Sequence, residues 1–83
     1  MELIDIVRAD VARMSGVTVK VDTAYGTVSI TDDSGEQEEI FMQGDDASEF
    51  IENAETLYNH LEHITMDDAY LHLASSYVEN LWN

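Results

Sequence analysis

The chain has 83 residues and a formal net charge of −15, since 18 Asp and Glu stand against 3 Lys and Arg. This length predicts one domain over residues 1–83, and the 45% apolar content is typical of a globular protein. The lack of cysteine excludes disulfides, thiolate metal sites and cysteine nucleophiles. No apolar run reaches the length of a membrane span, and the N-terminus does not read as a signal peptide. We therefore expect a cytoplasmic protein without membrane contact.

The charge is divided unequally along the chain. Residues 1–20 contain all the bases, Arg8, Arg13 and Lys20, together with three acids, and are neutral as a whole. Residues 21–83 contain the other 15 acids and no Lys or Arg. Self-repulsion of this size destabilises a compact state. Either the electrostatic field of these acids serves a function, or salt in the environment screens the repulsion. Direct binding to nucleic acid is not expected, because phosphate contacts require Lys and Arg.

The first half of the chain predicts a helix followed by a three-stranded meander. Apolar residues at helical spacing predict a helix over 2–15, which Gly16 would end. The period then changes to two, which predicts a hairpin whose inward side chains are Val17, Val19, Val21, Val28 and Ile30. A turn at 32–35 leads to a third strand around 38–43, with Ile40 and Met42 inward.

The second half predicts two helices that cover the sheet. Asp46 with Glu49, and Thr65 with Asp68, resemble capping boxes at the starts of helices over about 46–62 and 66–81. The apolar face of the first would hold Phe50, Ile51, Ala54, Leu57, Tyr58 and Leu61, opposite Asp45, Asp46, Glu49, Glu52, Glu55 and Glu62. The apolar stripe of the second would hold Met66, Ala69, Tyr70, Leu73, Tyr77 and Leu81. The predicted fold class is α+β: a helix, a three-stranded antiparallel sheet and two C-terminal helices packed on it.

We expect Phe50, Leu57 and Leu61 to press on the sheet face that carries Val19, Val28, Ile30 and Ile40. The last helix also has a second apolar stripe at Leu71, Val78 and Trp82, which makes its apolar arc unusually wide. Two interpretations stay open for this stripe. It is either buried between the sheet and the preceding helix, or exposed as a patch for a partner or a second copy of the chain.

The acidic surface is the main candidate for a binding site. Its residues would be Asp32, Asp33, Glu36, Glu38, Glu39, Asp45, Asp46, Glu49 and Glu52. Carboxylates a few ångströms apart can imitate the phosphates of DNA and occupy a cleft built from Arg and Lys. The alternatives are a merely solvated acidic face or an adaptation to high salt. Against the latter, the acids cluster, and the chain retains Asn, Ile, Met and Tyr.

Other candidate sites are weaker. His60 and His63 have a spacing that two metal ligands can use, but they fall among solvent-facing carboxylates, and His72 is expected to be exposed and isolated. The segment 32–36 lacks the alternation of a calcium loop, and no serine lies in a nucleophile elbow. We therefore expect no metal, no cofactor and no enzymatic activity.

Taken whole, the pattern resembles the small acidic anti-CRISPR proteins of phages. One group of them has the same element order, and its members act as DNA mimics that set carboxylates into the groove where a CRISPR nuclease reads its PAM. The positions that match this description are residues 32–39 and 44–46. Phage DNA mimics directed at restriction enzymes, repair nucleases or histone-like proteins fit the same residues.

The sequence thus favours a non-enzymatic inhibitor, acting in the host cytoplasm, that blocks a basic DNA- or RNA-binding cleft; the resemblance implies a CRISPR–Cas effector as its target. The alternative is a non-catalytic interaction or assembly subunit, or a homodimer, that uses Leu71, Val78 and Trp82, with acidity serving solubility or salt adaptation. Substitution of the acids would disable the first protein, and substitution of the apolar stripe the second.

Overall fold

The computed structural model describes residues 2–82, and of Trp82 it describes the backbone only. The fold is α+β, as predicted: one helix, a three-stranded antiparallel sheet and two further helices. Within the described chain, no helix has both the length and the apolar character needed to cross a membrane. In chain order the elements are α1 (Leu3–Arg13), β1 (Val17–Asp22), β2 (Thr27–Asp32), β3 (Ile40–Gln43), α2 (Asp45–His60) and α3 (Met66–Trp82).

The sheet is a simple meander with the strand order β1-β2-β3. Its register pairs Val19 with Ile30 and Val28 with Met42, so the alternation places all the predicted inward side chains on one face. Pairing between β2 and β3 stops at Ile30 and Ile40, although β2 continues to Asp32. The third strand is therefore shorter than the predicted 38–43, because residues 38 and 39 lie outside the ladder between β2 and β3.

The main hydrophobic cluster lies between the sheet and the two C-terminal helices. Phe50 is at its centre with 1% of its surface exposed, and its ring lies 6.1 Å from that of Tyr70 and 5.9 Å from that of Tyr77 between centroids. Leu71 and Val78 are partly buried against the same cluster, as the first of the two interpretations of the second stripe predicts. The third residue of that stripe, Trp82, has its side chain outside the described part. The buried members are Met14, Val28, Ile30, Ile40, Met42, Ala47, Phe50 and Ala74.

A second cluster joins the three helices away from the sheet. Its buried members are Val7, Ala54, Ile64 and Ala69. Leu57 and Leu61 pack on this cluster, so the prediction that they press on the sheet is wrong. The reason is length: α2 extends about 24 Å at about 1.5 Å per residue, and β3, at about 3.3 Å per residue, only about 13 Å. The C-terminal half of α2 therefore packs on helices.

The two predicted capping boxes differ in outcome. At α3 the box is confirmed: the Thr65 N–H donates to the Asp68 carboxylate, the Asp68 N–H donates to the Thr65 hydroxyl, and both distances are 3.1 Å. At α2 the box is wrong. Gly44 occupies the N-cap position with φ 64°, and no side chain caps the helix. Asp46 already lies inside the helix and cannot serve as its cap.

Two side chains expected in the core, Tyr58 and Leu81, are exposed instead, with 42% and 66% of their surface accessible. Tyr77 is 37% exposed, but its ring lies against Phe50 on the expected side of the helix. Tyr58 lies at the border of the apolar arc of α2, and Leu81 lies in the last turn of α3. Helical periodicity identifies the side of a helix, but it does not show where the neighbouring layer ends.

The polar contacts between α1 and α3 form a small network, here called the α1–α3 seam, of Asp10, Arg13, His72 and Glu79. His72 Nδ1 lies 2.7 Å from the Asp10 carboxylate, so the prediction that His72 is exposed and isolated is wrong. Arg13 donates to Asp10 at 2.8 Å and reaches Glu79 at 2.7 Å. His72 is half-buried because α1 packs across its face of α3.

Candidate functional site

The first part of the candidate site is the connection between β2 and β3, here called the turn group: Asp32, Asp33, Glu36, Glu38 and Glu39. Apart from the half-buried Asp32, these residues are exposed. The Asp32 carboxylate accepts the Ser34 N–H at 3.0 Å, and the Asp33 carboxylate accepts the Thr18 hydroxyl at 2.9 Å. Ser29 donates its hydroxyl to Glu39. Two of the five carboxylates, those of Asp33 and Glu39, are thus held by hydroxyls of the sheet, and that of Asp32 is held by the backbone of the turn.

The second part is the first two turns of α2, here called the helix group: Asp45, Asp46, Glu49 and Glu52. All four residues are exposed, as the sequence predicts. Asp45 and Asp46 lie in the first turn, where the helix dipole and the free N–H groups favour negative charge. The opposite side of the same turns is buried through Ala47 and Phe50. Burial of that side fixes the direction in which the carboxylates point.

The two groups lie at opposite ends of β3 and do not form one continuous patch. The turn group precedes Ile40, and the helix group follows Gln43, which pairs with Thr27 next to the β1–β2 turn. Ser48 and Glu52 accordingly line a shallow depression together with Thr23 and Gly26 of that turn. The span of β3 that separates the groups is about 13 Å, at about 3.3 Å per residue. Sequence proximity alone suggested a single cluster.

Ion pairing leaves this side of the molecule negative. The ion pairs found within residues 2–82 join Arg13 to Asp10 and Glu79, and His72 contacts Asp10 as well, all of them in the α1–α3 seam. Glu38 has an interaction partner and is therefore left out of the following comparison. The other eight carboxylates of the two groups form no ion pair with any base in the described chain.

The negative surroundings also act on Tyr70. Its pKa is raised above the ordinary tyrosine value, first by burial and then by the charges of Glu55 and Asp67. The hydroxyl therefore stays protonated to higher pH than that of a solvated tyrosine.

The remaining candidates do not assemble into a site. His60 and His63 are both exposed, and the described residues contain no group of three or more His, Asp or Glu that could hold a metal ion. Residues 32–35 form a hairpin turn closed by the Gly35 N–H on the Asp32 carbonyl at 3.0 Å. Gly35 has φ 73°, which glycine adopts without strain.

Sequence reasoning missed an open groove along the free edge of β3. The groove has a volume of about 490 Å³ and is lined by Gln37, Glu38, Glu39, Ile40, Phe41 and Leu81. Phe41 has 54% of its surface exposed and lies on the sheet face opposite Ile40 and Met42. Its outward position in the strand alternation was the available signal. No signal in the sequence indicates that Leu81 also lines the groove, because its place there depends on where α3 ends relative to β3.

Comparison with known proteins finds no match to the chain among protein-family models, curated proteins or solved structures.

Proposed function

We propose that this protein mimics nucleic acid and inhibits a DNA- or RNA-binding protein by occupying its basic cleft. The proposed target is, most concretely, a CRISPR–Cas effector. The observation that carries the proposal is the state of the two carboxylate groups: of the nine residues, eight are exposed and Asp32 is half-buried. With Glu38 set aside, no base of the described chain neutralises any of them.

The number of charges is comparable with that of a short duplex. Double-stranded DNA carries one negative charge per about 1.7 Å of its axis, so about 13 Å of duplex presents about eight phosphate charges. The nine carboxylates lie beyond the two ends of a strand of that length, so they are spread more widely than the phosphates. A cleft that binds a duplex through Arg and Lys would meet a similar number of acceptors, divided between two places.

The local structure favours a placed surface over a flexible acidic tail. Asp33 and Glu39 are tied to sheet hydroxyls, and Asp45 and Asp46 belong to a helix whose other side is in the core. Fixed carboxylates lose little conformational freedom when arginines contact them, and the pairing can be bidentate. The long-range field would raise the association rate, and desolvated carboxylate–arginine pairs would slow dissociation.

The proposal is tested with a guide-loaded Cas9-type nuclease and a labelled duplex that contains its PAM. The protein should displace the duplex competitively, and the displacement should weaken steeply between about 50 and 500 mM salt, because the screening length falls several-fold. Restriction enzymes and repair nucleases form parallel arms of the assay. Inhibition that does not compete with nucleic acid, or that salt leaves unchanged, would contradict the proposal.

A matched pair of variants separates placed charge from bulk charge. One variant neutralises the turn group with Asp32→Asn, Asp33→Asn, Glu36→Gln, Glu38→Gln and Glu39→Gln. Its control neutralises five exposed acids elsewhere with Glu2→Gln, Asp5→Asn, Glu55→Gln, Glu62→Gln and Asp67→Asn. Both changes remove five charges, but only the first should abolish inhibition. Equal losses would mean that total charge, and not its position, is responsible.

A further inference from the structure

The free edge of β3 combines features that the acidic surface alone does not explain. Phe41 and Leu81, with 54% and 66% of their surface exposed, border the groove of about 490 Å³ between β3 and the end of α3. A surface that serves only solubility does not need two exposed apolar side chains beside one groove. The groove begins within the turn group, since Glu38 and Glu39 line it, and a partner that extends from there along β3 to the helix group passes over it.

The backbone of this edge is available for pairing. The strand order leaves β3 with β2 as its strand neighbour on one side only. Apart from the β2 ladder, the backbone of residues 40–43 makes no hydrogen bond within the described chain. In an antiparallel pair, alternate residues direct their N–H and C=O away from the partner. The outer edge of β3 therefore presents donors and acceptors next to a groove with both acidic and apolar side chains, an arrangement that strand addition can use.

We propose that the β3 edge binds an extended basic segment of a partner protein as a fourth strand. The strand would place one apolar side chain between Phe41 and Leu81, and lysines or arginines on its flanks would meet the turn group and the helix group. The choice of a basic protein as partner rests on the proposed function. The mode of binding does not, since it follows from the edge, the groove and the charges that flank them.

The charges also select among possible occupants. Antiparallel pairing of two copies through β3 would bring the turn group of each copy beside the helix group of the other, and like charges across a sheet are destabilising. A nucleic acid is repelled by the same field. A basic segment is attracted by both groups of carboxylates. The residues that protect this edge against self-association therefore favour a strand of opposite charge.

A probe peptide of sequence KTKTLTKTK, acetylated and amidated, tests the inference by NMR titration of the labelled protein. The largest amide shifts should fall on residues 40–43 and on their partners in β2. The peptide KTKTTTKTK has the same charge without the apolar residue, and it should bind about tenfold more weakly. Phe41→Thr, which retains strand propensity, and Leu81→Ser should each weaken binding of the first peptide by a similar factor.

Tyr58→Ser is the control variant, because Tyr58 is 42% exposed in the last turn of α2 and belongs neither to the groove lining nor to a carboxylate group; it should leave the affinity unchanged. The amide spectra of the free variants show that each is folded. The inference is overturned if both peptides bind equally well, if the shifts spread over the acids without β3, or if no binding is seen at about 1 mM peptide. A dimer in sedimentation that Phe41→Thr dissociates would also overturn it, since a second copy would then be the occupant.

The outcomes are distinguishable from failure of the proposed function. If the peptide binds at β3 but the protein displaces no nucleic acid from any nuclease tested, the mimicry is refuted and the strand-binding edge stands. If displacement occurs but the peptide does not bind at β3, the inhibitor works through its carboxylates alone.

Discussion

Carboxylates of two regions of this protein have opposite roles. In the α1–α3 seam, Asp10 has a side chain only 15% exposed and contacts both Arg13 and His72. Beside β3, Asp33 is exposed and accepts a hydrogen bond from the Thr18 hydroxyl. The first residue connects two helices, whereas the second leaves most of its charge directed at solvent.

The difference follows from the distribution of bases along the chain. All Lys and Arg precede residue 21, and both arginines lie in α1. An acid is therefore neutralised by an arginine only if the fold brings it to α1, as it does for Glu79 of α3. Apart from Glu38, the acids of the β2–β3 turn and of the start of α2 form no ion pair with an arginine in the described chain. Confining the bases to one end of the chain divides its acids into structural and exposed ones.

The largest effect on stability is expected at Phe50, on which both regions depend because it packs between the sheet and α3. Phe50→Ala should lower the free energy of unfolding by about 3–5 kcal/mol, through lost burial and a cavity beneath Tyr70 and Tyr77. Urea denaturation measures the change. Glu49→Ala, one residue away and exposed, is the control and should change stability by less than about 0.5 kcal/mol.

The seam is tested by Asp10→Ala. This change removes the acceptor of both Arg13 and His72 and should cost about 1–3 kcal/mol, since these are charged or strongly polar hydrogen bonds in a partly buried site. Glu52→Ala removes an unpaired acid from the helix group and should be neutral or slightly stabilising. If thermal melts showed equal losses for the two variants, the distinction between the two regions would be wrong.

Salt should act on the exposed acids in two opposite ways. Raising the salt concentration from about 50 to 500 mM should raise the melting temperature of the free protein, because screening reduces repulsion among its acids. The same change should weaken binding to a basic target. The variant with a neutralised turn group should start at a higher melting temperature and gain less from salt. A melting temperature that is indifferent to salt would show that the carboxylates do not repel one another appreciably.

The smallest effect concerns Tyr70 at alkaline pH. Its pKa is raised in the folded protein, so the folded state retains the proton longer than the unfolded state does. The resulting stabilisation is complete below the ordinary tyrosine pKa of about 10 and is lost as the pH rises through the folded value. Tyr70→Phe should therefore lose less stability above about pH 10 than the wild type does. Tyr25→Phe is the exposed control and should behave as the wild type.

Sequence patterns predicted the helices and strands because these elements form through interactions between residues that are close in sequence. Alternation between Val17 and Ile30 identifies the hairpin and its buried face, and the reciprocal bonds of Thr65 and Asp68 need only four residues in sequence. The start of α2 was mispredicted by a similar pattern, since Gly44 with its positive φ takes the position that Asp46 was expected to hold.

The features that the sequence did not predict depend on distances between elements, and the periodicity of a sequence carries no information about those distances. Asp10 and His72 are 62 residues apart and meet only because α1 packs on α3. The turn group and the helix group are close in sequence, yet β3 holds them apart. Exposure of Leu81 likewise depends on where the sheet stops beneath α3.

The meander has a consequence for the rate of folding. Each strand pairs with its neighbour in the chain, and the sequence contains no proline, so no prolyl bond has to isomerise before the sheet closes. Small mixed helix-and-sheet domains fold on a timescale of about milliseconds, whereas prolyl isomerisation takes about 10–100 s. Refolding after dilution from urea should therefore be a single fast phase. A newly made chain would reach its active shape without the help of a prolyl isomerase.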